Sequence, residues 1–110
     1  MITKLFLLLC GHALADFALQ SETMAKGKNR NKKPDYIPEG QKYVPCWPYW
    51  LTAHALIHGG IVYLITQTLW CGIVETIAHW WIDFLKCENK TTPNEDQLYH
   101  FLFKILYLFS

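Results

Sequence analysis

The sequence lacks two features that mark common classes of small protein, a strong net charge and paired cysteines. A chain of 110 residues has room for one domain. Its net charge of +1 argues against a dedicated nucleic-acid binder, so we expect no nucleic-acid partner. The four cysteines show no C-x-x-C spacing, which argues against a disulfide framework or a zinc knuckle. A bound metal ion would therefore have histidine and carboxylate ligands.

Charge is scarce outside one short stretch. The segment KGKNRNKK, residues 26–33, holds five cations, whereas LFLLLC, GGIVYLITQTLW and FLFKILYLF are nearly free of charge. A basic loop between apolar helices is typical of multi-pass membrane proteins, in which such loops stay in the cytoplasm. The sequence therefore predicts a protein of the bacterial inner (cytoplasmic) membrane, in contact with membrane lipids, with its basic loop on the cytoplasmic side.

The start of the chain admits a second interpretation. Residues 1–15, MITKLFLLLCGHALA, contain a lysine, a short apolar run and an A-x-A ending, as a signal peptide does. His12 interrupts the apolar run, so we expect this segment to stay in the protein as part of the first helix.

Helix start and stop signals predict an all-α fold. Pro48 suits a first helical turn, and TPNE predicts a capping box of Thr92 and Glu95 with Pro93 between them. Gly27 suits a helix end. We therefore predict a four-helix integral membrane bundle, a single domain over residues 1–110, with a two-helix pseudo-repeat. The expected helices cover about residues 3–26, 48–67, 70–86 and 93–109, with an irregular basic loop at 27–47.

Each predicted helix carries polar residues four positions apart, which places them on one helical face. The segments are HALADFALQ, HALIH, HWWIDF and DQLYH. Polar stripes in apolar helices are costly unless they are paired or bind a metal ion. The resulting candidate metal ligands are His12, Asp16, His54, His58, His79, Asp83, Asp96 and His100.

Imidazoles and carboxylates on facing helices suit a divalent transition metal, Zn²⁺, Mn²⁺ or Fe²⁺. Eight candidates exceed the needs of one tetrahedral ion, so two ions are the economical interpretation, and a two-metal centre suits hydrolysis. We assign Gln20, Glu75 and Gln97 to the catalytic site, as groups that orient imidazoles or bind substrate. Basic residues near the site could steer an anionic, phosphate-bearing substrate: they are Lys26, Lys28, Arg30 and Lys86.

The same segments resemble a known family. HALADFALQSETMAKGK, HALIHG, HWWIDFLK and DQLYH are similar to small membrane proteins of bacteria and phages, catalogued as a domain of unknown function. The resemblance covers almost the whole chain apart from residues 29–46. It implies a membrane location and a shared polar cluster that includes Gln20 and Gln97, but no established activity. A more distant likeness to inner-membrane metal-dependent hydrolases favours the hydrolase reaction class.

We therefore expect a metal-dependent hydrolase that acts on a phosphoester or lipid-phosphate at the cytoplasmic face. One alternative is a non-catalytic phage or bacterial membrane factor that binds a host membrane protein and has a structural His/Asp core. Another is an ion or proton conductor, because intramembrane His/Asp chains also serve as relays. A bound metal with an open coordination position favours the enzyme, and a cluster closed by side chains favours the structural role.

Overall fold

The computed structural model describes residues 1–32, 39–40 and 46–110, and over these residues the chain is helical without strands. The all-α prediction is confirmed, but five α-helices replace the four expected. They are α1 (Ile2–Ala13), α2 (Glu22–Gly27), α3 (Trp47–Thr66), α4 (Leu69–Cys87) and α5 (Pro93–Tyr107), and a π-helical turn (Leu14–Ala18) follows α1. The irregular loop predicted at 27–47 lies partly outside the described residues.

The first predicted helix, residues 3–26, is interrupted in the structure. After α1 the chain widens into the π-helical turn, and a new helix begins at Ser21, whose hydroxyl accepts a hydrogen bond from the Met24 N–H at 3.1 Å. A serine at the N-cap stabilises a helix start in this way. The periodicity of 3.6 residues per turn is therefore lost beyond Ala13, and Gln20 does not continue the line of His12 and Asp16.

Helices α3 and α4 form an antiparallel hairpin. Gln67 adopts a left-handed conformation, φ 56°, and its N–H donates to the Tyr63 carbonyl at 2.7 Å, which ends α3. Only Gln67 and Thr68 separate the two helices. The helices approach closely at two glycines, because a Cβ on Gly72 would lie 3.0 Å from the carbonyl oxygen of Gly59.

The predicted capping box at the start of α5 is confirmed. The Thr92 hydroxyl accepts from the Glu95 N–H at 3.1 Å, and the Glu95 carboxylate accepts from the Thr92 N–H at 3.2 Å. Helix α5 packs against α4 and α1, α1 packs against α3, and α2 lies on α3. Helices α1, α3, α4 and α5 therefore surround a common interior.

That interior is unusually rich in polar groups, because nine buried side chains of the described residues are polar or charged and eight are hydrophobic. A small cluster of buried apolar side chains, Leu8, Val62, Cys71 and Tyr107, lies at one end. Large apolar side chains lie outside, as Phe17 and Phe109 illustrate, each about three-quarters exposed. The remaining interior holds buried polar and charged side chains: Lys28, His54, His58, Glu75, His79, Asp83, Asp96, His100 and Lys104.

The membrane prediction is wrong. Among residues 1–32, 39–40 and 46–110, no helix combines the length and the apolarity needed to cross a bilayer. Helix α1 has 12 residues, about 18 Å of helix against a hydrocarbon core of about 30 Å. The longer helix α3 contains two buried histidines, and α4 contains one buried histidine and two buried carboxylates, which reduce the apolarity of both helices. This finding overturns three related predictions. They are the integral membrane bundle, the multi-pass location in a bacterial inner membrane and the cytoplasmic orientation of the basic loop.

Candidate metal centre

All five histidines of the chain meet in the interior. Helix α3 contributes His54 and His58, while α1, α4 and α5 each contribute one. The His58 and His79 rings stack with centroids 3.6 Å apart, and His79 and His100 stack at 4.1 Å. His12 completes the group, 5.3 Å from His58. The ladders expected from the sequence therefore do converge, in that each of the four helices presents imidazole to the same space.

Asp16 is the carboxylate at the centre of this group. Its Oδ1 lies 2.8 Å from His58 Nε2 and 3.3 Å from His54 Nε2, and its Oδ2 lies 3.2 Å from His12 Nε2. Burial alone would raise the pKa of Asp16, but the three imidazoles outweigh it and hold that pKa far below its usual range. Asp16 occupies the π-helical turn, a geometry that is frequent at functional sites.

Two of the histidines are buried without hydrogen-bond partners in the described part of the chain. These are His54 and His79, and both ring nitrogens of each lack a partner. His54 Nε2 is near Asp16 Oδ1, but the two atoms are not aligned as donor and acceptor. Buried polar atoms are nearly always bonded, so such exceptions indicate a missing partner, for example an ion.

The geometry of four side chains fits one metal ion. Ligand atoms of Asp16, His54, His58 and His79 all lie within 4.8 Å of one another. Burial lowers the pKa of His58 to about 4 and the pKa of His79 well below its ordinary value. Both rings are therefore neutral near pH 7, which is the form in which imidazole binds metals.

A second group adjoins the first through His79. Ligand atoms of Glu75, His79 and His100 also lie within 4.8 Å of one another. Glu75 is already engaged, because its Oε1 accepts from Lys104 Nζ at 2.6 Å and its Oε2 accepts from the Tyr107 hydroxyl at 2.8 Å. Burial would raise the pKa of Glu75, but His79 and Lys104 lower it below its ordinary value. Burial also raises the pKa of Tyr107.

The structure places Asp83 and Asp96 against lysines. Lys28 Nζ lies 2.6 Å from Asp83 Oδ2, and Lys86 Nζ lies 3.2 Å from Asp83 Oδ1 and 3.7 Å from Asp96 Oδ2. Burial alone would raise the pKa of Asp83, but the two lysines outweigh this effect and lower that pKa to about 2. Neither carboxylate belongs to a ligand group among the described residues. Asp83 nevertheless lies near the centre, 3.6 Å from His54 Nε2.

The two glutamines assigned from the sequence have different surroundings. Gln97 Nε2 donates to Asp16 Oδ2 at 3.3 Å, and its Oε1 pairs with His12 Nε2 at 3.1 Å, so Gln97 is part of the centre. Gln20 Nε2 donates to the backbone carbonyl of Asp16 at 3.1 Å. Gln20 therefore supports the π-helical turn, and Gln97 contacts the carboxylate itself.

A cleft of about 240 Å³ lies beside the centre, between α1 and α5. Leu9 and Phe101 give it apolar walls, and His12, Gln97 and Lys104 supply polar atoms. Small-molecule sites commonly combine apolar walls with a few convergent polar groups. A small molecule in the cleft would contact His12 and Gln97, which both contact Asp16.

Two interior residues were not identified from the sequence, Lys104 and Tyr107, and Lys28, which was expected to steer a substrate, is instead buried against Asp83. Lys104 extends the spacing of four from Asp96 and His100, and Tyr107 lies three residues later on α5, so the periodicity could have identified both. Lys28 follows α2, and its spacing gives no sign that it pairs with a carboxylate on α4.

The sequence comparison identifies a family. Residues 4–108 match the family described as protein of unknown function (DUF3307), and the chain belongs to that family. No curated protein and no solved structure matches the chain.

Proposed function

We propose that this DUF3307 protein binds a divalent transition-metal ion, Zn²⁺, Mn²⁺ or Fe²⁺, and hydrolyses a phosphoester. The ligands are Asp16, His54, His58 and His79. The observation that carries the proposal is that the ring nitrogens of His54 and His79, buried in the same ligand group as Asp16, form no hydrogen bond within the described residues. Their carboxylate contacts are long, with His54 Nε2 3.3 Å from Asp16 and His79 Nδ1 3.5 Å from Glu75. Three imidazoles and one carboxylate are a ligand set that suits these ions.

The charges of the neighbouring carboxylates support Asp16 as the acidic ligand. Glu75 pairs with Lys104, and Asp83 and Asp96 pair with Lys86. The ion pairs of Asp16 within the described residues are with imidazoles, which remain neutral unless they are protonated. A metal ion would supply the positive charge that lysine supplies to the other three carboxylates.

The surrounding residues orient the ligands and admit the substrate. His12 and Gln97 both contact Asp16 Oδ2, so they fix the direction of the carboxylate, as partners of metal ligands commonly do. A bound ion would supply activation of water and polarisation of a phosphoryl oxygen. Lys104 also lines the cleft, with its ammonium paired to Glu75.

Elemental analysis of chelator-free protein tests the proposal. We expect the wild type, incubated with Zn²⁺, Mn²⁺ or anaerobic Fe²⁺ and dialysed, to retain metal. His54→Ala and His79→Ala should lose it, while Gln20→Ala, the matched control with a backbone contact only, should retain it. Circular dichroism checks that each variant folds.

The hydrolytic part is tested on the same preparations with p-nitrophenyl phosphate and bis(p-nitrophenyl) phosphate. Turnover should follow the retained metal across the variants. A folded wild type that retains none of the three metals would overturn the metal proposal. A metal-loaded protein without turnover on either phosphoester class would leave metal binding and remove the hydrolase.

The second candidate function is a non-catalytic protein that binds another protein and has a structural polar interior. Its support is the exposure of large apolar side chains on several elements, including Phe6, Phe17, Trp81 and Phe109. Extended apolar exposure marks interaction surfaces. A folded protein without metal and without turnover would favour this function.

A further inference from the structure

We infer that Lys104 occupies the second cation position of the centre, so that the protein holds one metal ion beside a lysine ammonium in place of two metal ions. The inference rests on the proposed metal binding and names the composition of that same site. It concerns the group Glu75, His79 and His100, whose donor types alone would suit a second ion.

The carboxylate of that group is fully engaged by the chain itself. Lys104 Nζ lies 2.6 Å from Glu75 Oε1, and the Tyr107 hydroxyl donates to Glu75 Oε2 at 2.8 Å. A metal ion bound by Glu75 would have to displace one of these donors. Displacing the lysine would leave an ammonium without its counter-charge in the interior, which is strongly unfavourable.

Because Lys104 is buried, its positive charge acts strongly on any ion bound near Glu75. Lys104 and Glu75 are each only 1% exposed, so water does not screen a positive charge near them. A divalent ion at Glu75, His79 and His100 would lie close to the ammonium and be repelled by it. The negative charge of Glu75 is already balanced by the positive charge of Lys104. This carboxylate therefore has no unbalanced charge left to attract a second metal ion.

The contrast with Asp16 identifies which of the two groups takes the metal. Asp16 forms its ion pairs in the described part of the chain with His12, His54 and His58. Glu75 instead pairs with the amino group of Lys104, at 2.6 Å. His79 belongs to both groups, and its ring is therefore available to the Asp16 group.

Metal counting on the purified full chain tests the inference. We expect one equivalent of Mn²⁺ in the wild type and two in Lys104→Met, because removal of the ammonium frees the Glu75 carboxylate to bind a second ion together with His100. The matched control is the double variant Glu75→Gln/Lys104→Met, which lacks the lysine and the carboxylate ligand together and should bind one equivalent. Circular dichroism establishes that the variants fold.

A measurement on the wild type alone keeps the inference falsifiable if Lys104→Met fails to fold. Electron paramagnetic resonance of the Mn²⁺-loaded wild type should show an uncoupled ion, and a spin-coupled pair would overturn the inference while leaving the metal proposal intact. One equivalent in a folded Lys104→Met protein would also overturn it. No metal in any of the proteins would overturn the proposed function, and the inference with it.

Discussion

Lys28 and Asp83, 55 positions apart in the chain, form a buried ion pair with Nζ and Oδ2 separated by 2.6 Å. The pair joins the end of α2 to α4, next to the histidine cluster. Removing one partner of such a pair leaves an uncompensated buried charge, whereas replacing both by apolar groups is often neutral. Loss of either partner alone should therefore destabilise the fold. Asp83 lies beside the centre but belongs to neither ligand group among the described residues.

Asp83→Asn should destabilise the protein by about 3 kcal/mol, because the Lys28 ammonium loses its carboxylate. Chemical denaturation followed by circular dichroism measures this change. The metal content of the folded fraction should stay at the wild-type level. Asp16→Asn should show the converse, a large loss of metal and a smaller loss of stability.

The double variant Lys28→Met/Asp83→Leu is the control for that prediction, and its free energy of unfolding should lie nearer to the wild type than that of Asp83→Asn. If Asp83→Asn loses its metal while remaining as stable as the wild type, then Asp83 is a ligand and the interpretation of the ion pair is wrong.

The sequence could place the histidines but could not predict which lysines pair with buried carboxylates. The spacing of four brings His12 and Asp16, His54 and His58, and the His79 face into one interior, and the structure has them there. A spacing of four residues indicates only which side chains share a helical face. It could not predict that Lys86 lies between the carboxylates of Asp83 and Asp96. Nor could it show the widening at Leu14–Ala18, since that depends on how α1 packs on α3.

The membrane prediction failed for a different reason. The polar ladders are expected in the bundle interior and do lie there, with Phe17 and Trp81 exposed, so their placement does not distinguish a membrane bundle from another helical bundle. The length and apolarity of each helix do, and no helix of the described residues combines the two. Hydropathy and the basic run at residues 26–33 record composition, and Lys28 is in fact buried. Lys33, in the same run, lies outside the described residues.

Acid should destabilise the metal-free protein between pH 6.5 and about 4. The pKa of His58 falls from 6.5 to about 4 on folding, so between these values the unfolded chain binds a proton that the folded protein does not. Stability is then complete above pH 6.5 and is lost as pH falls. The lowered pKa values of Asp16 and Glu75 act in the same direction at lower pH.

Thermal or urea unfolding at pH 8, 6.5, 5 and 4, with chelator present, measures this dependence. His58→Gln, which removes the titrating ring and keeps a polar side chain, should show a shallower decline across the same interval. Stability that stays constant or rises on acidification of the wild type would contradict a neutral, buried His58.

Gly59→Ala should destabilise the hairpin, and Gly60→Ala, next to it, should not. A Cβ on Gly59 would lie 2.7 Å from the Gly72 carbonyl oxygen and would clash with Thr76, whereas a Cβ on Gly60 meets nothing within 4 Å. Overpacking of this kind costs about 1–3 kcal/mol. Alanine at Gly60 should stabilise the helix by up to about 1 kcal/mol. The free energies of unfolding are measured by urea denaturation. Equal changes for the two substitutions would contradict the close approach of α3 and α4 at Gly59.

Two of the four thiols should react in the native protein. All four cysteines are free, with Cys10 and Cys46 exposed and Cys71 and Cys87 buried. Burial also raises the pKa of Cys87, which lowers its thiolate fraction. Titration with a thiol reagent should count two fast groups without denaturant and four with it. Rapid reaction of all four thiols without denaturant would contradict the burial of Cys71 and Cys87.

The small apolar cluster of Leu8, Val62, Cys71 and Tyr107 has a calorimetric consequence. Unfolding raises the heat capacity chiefly by hydrating apolar surface, by about 12–15 cal/mol/K per residue in ordinary globular proteins. Here many large apolar side chains are already exposed in the folded state, and unfolding also exposes nine buried polar or charged side chains of the described residues, which lowers the increment. The stability of this protein should therefore vary little with temperature over the physiological range.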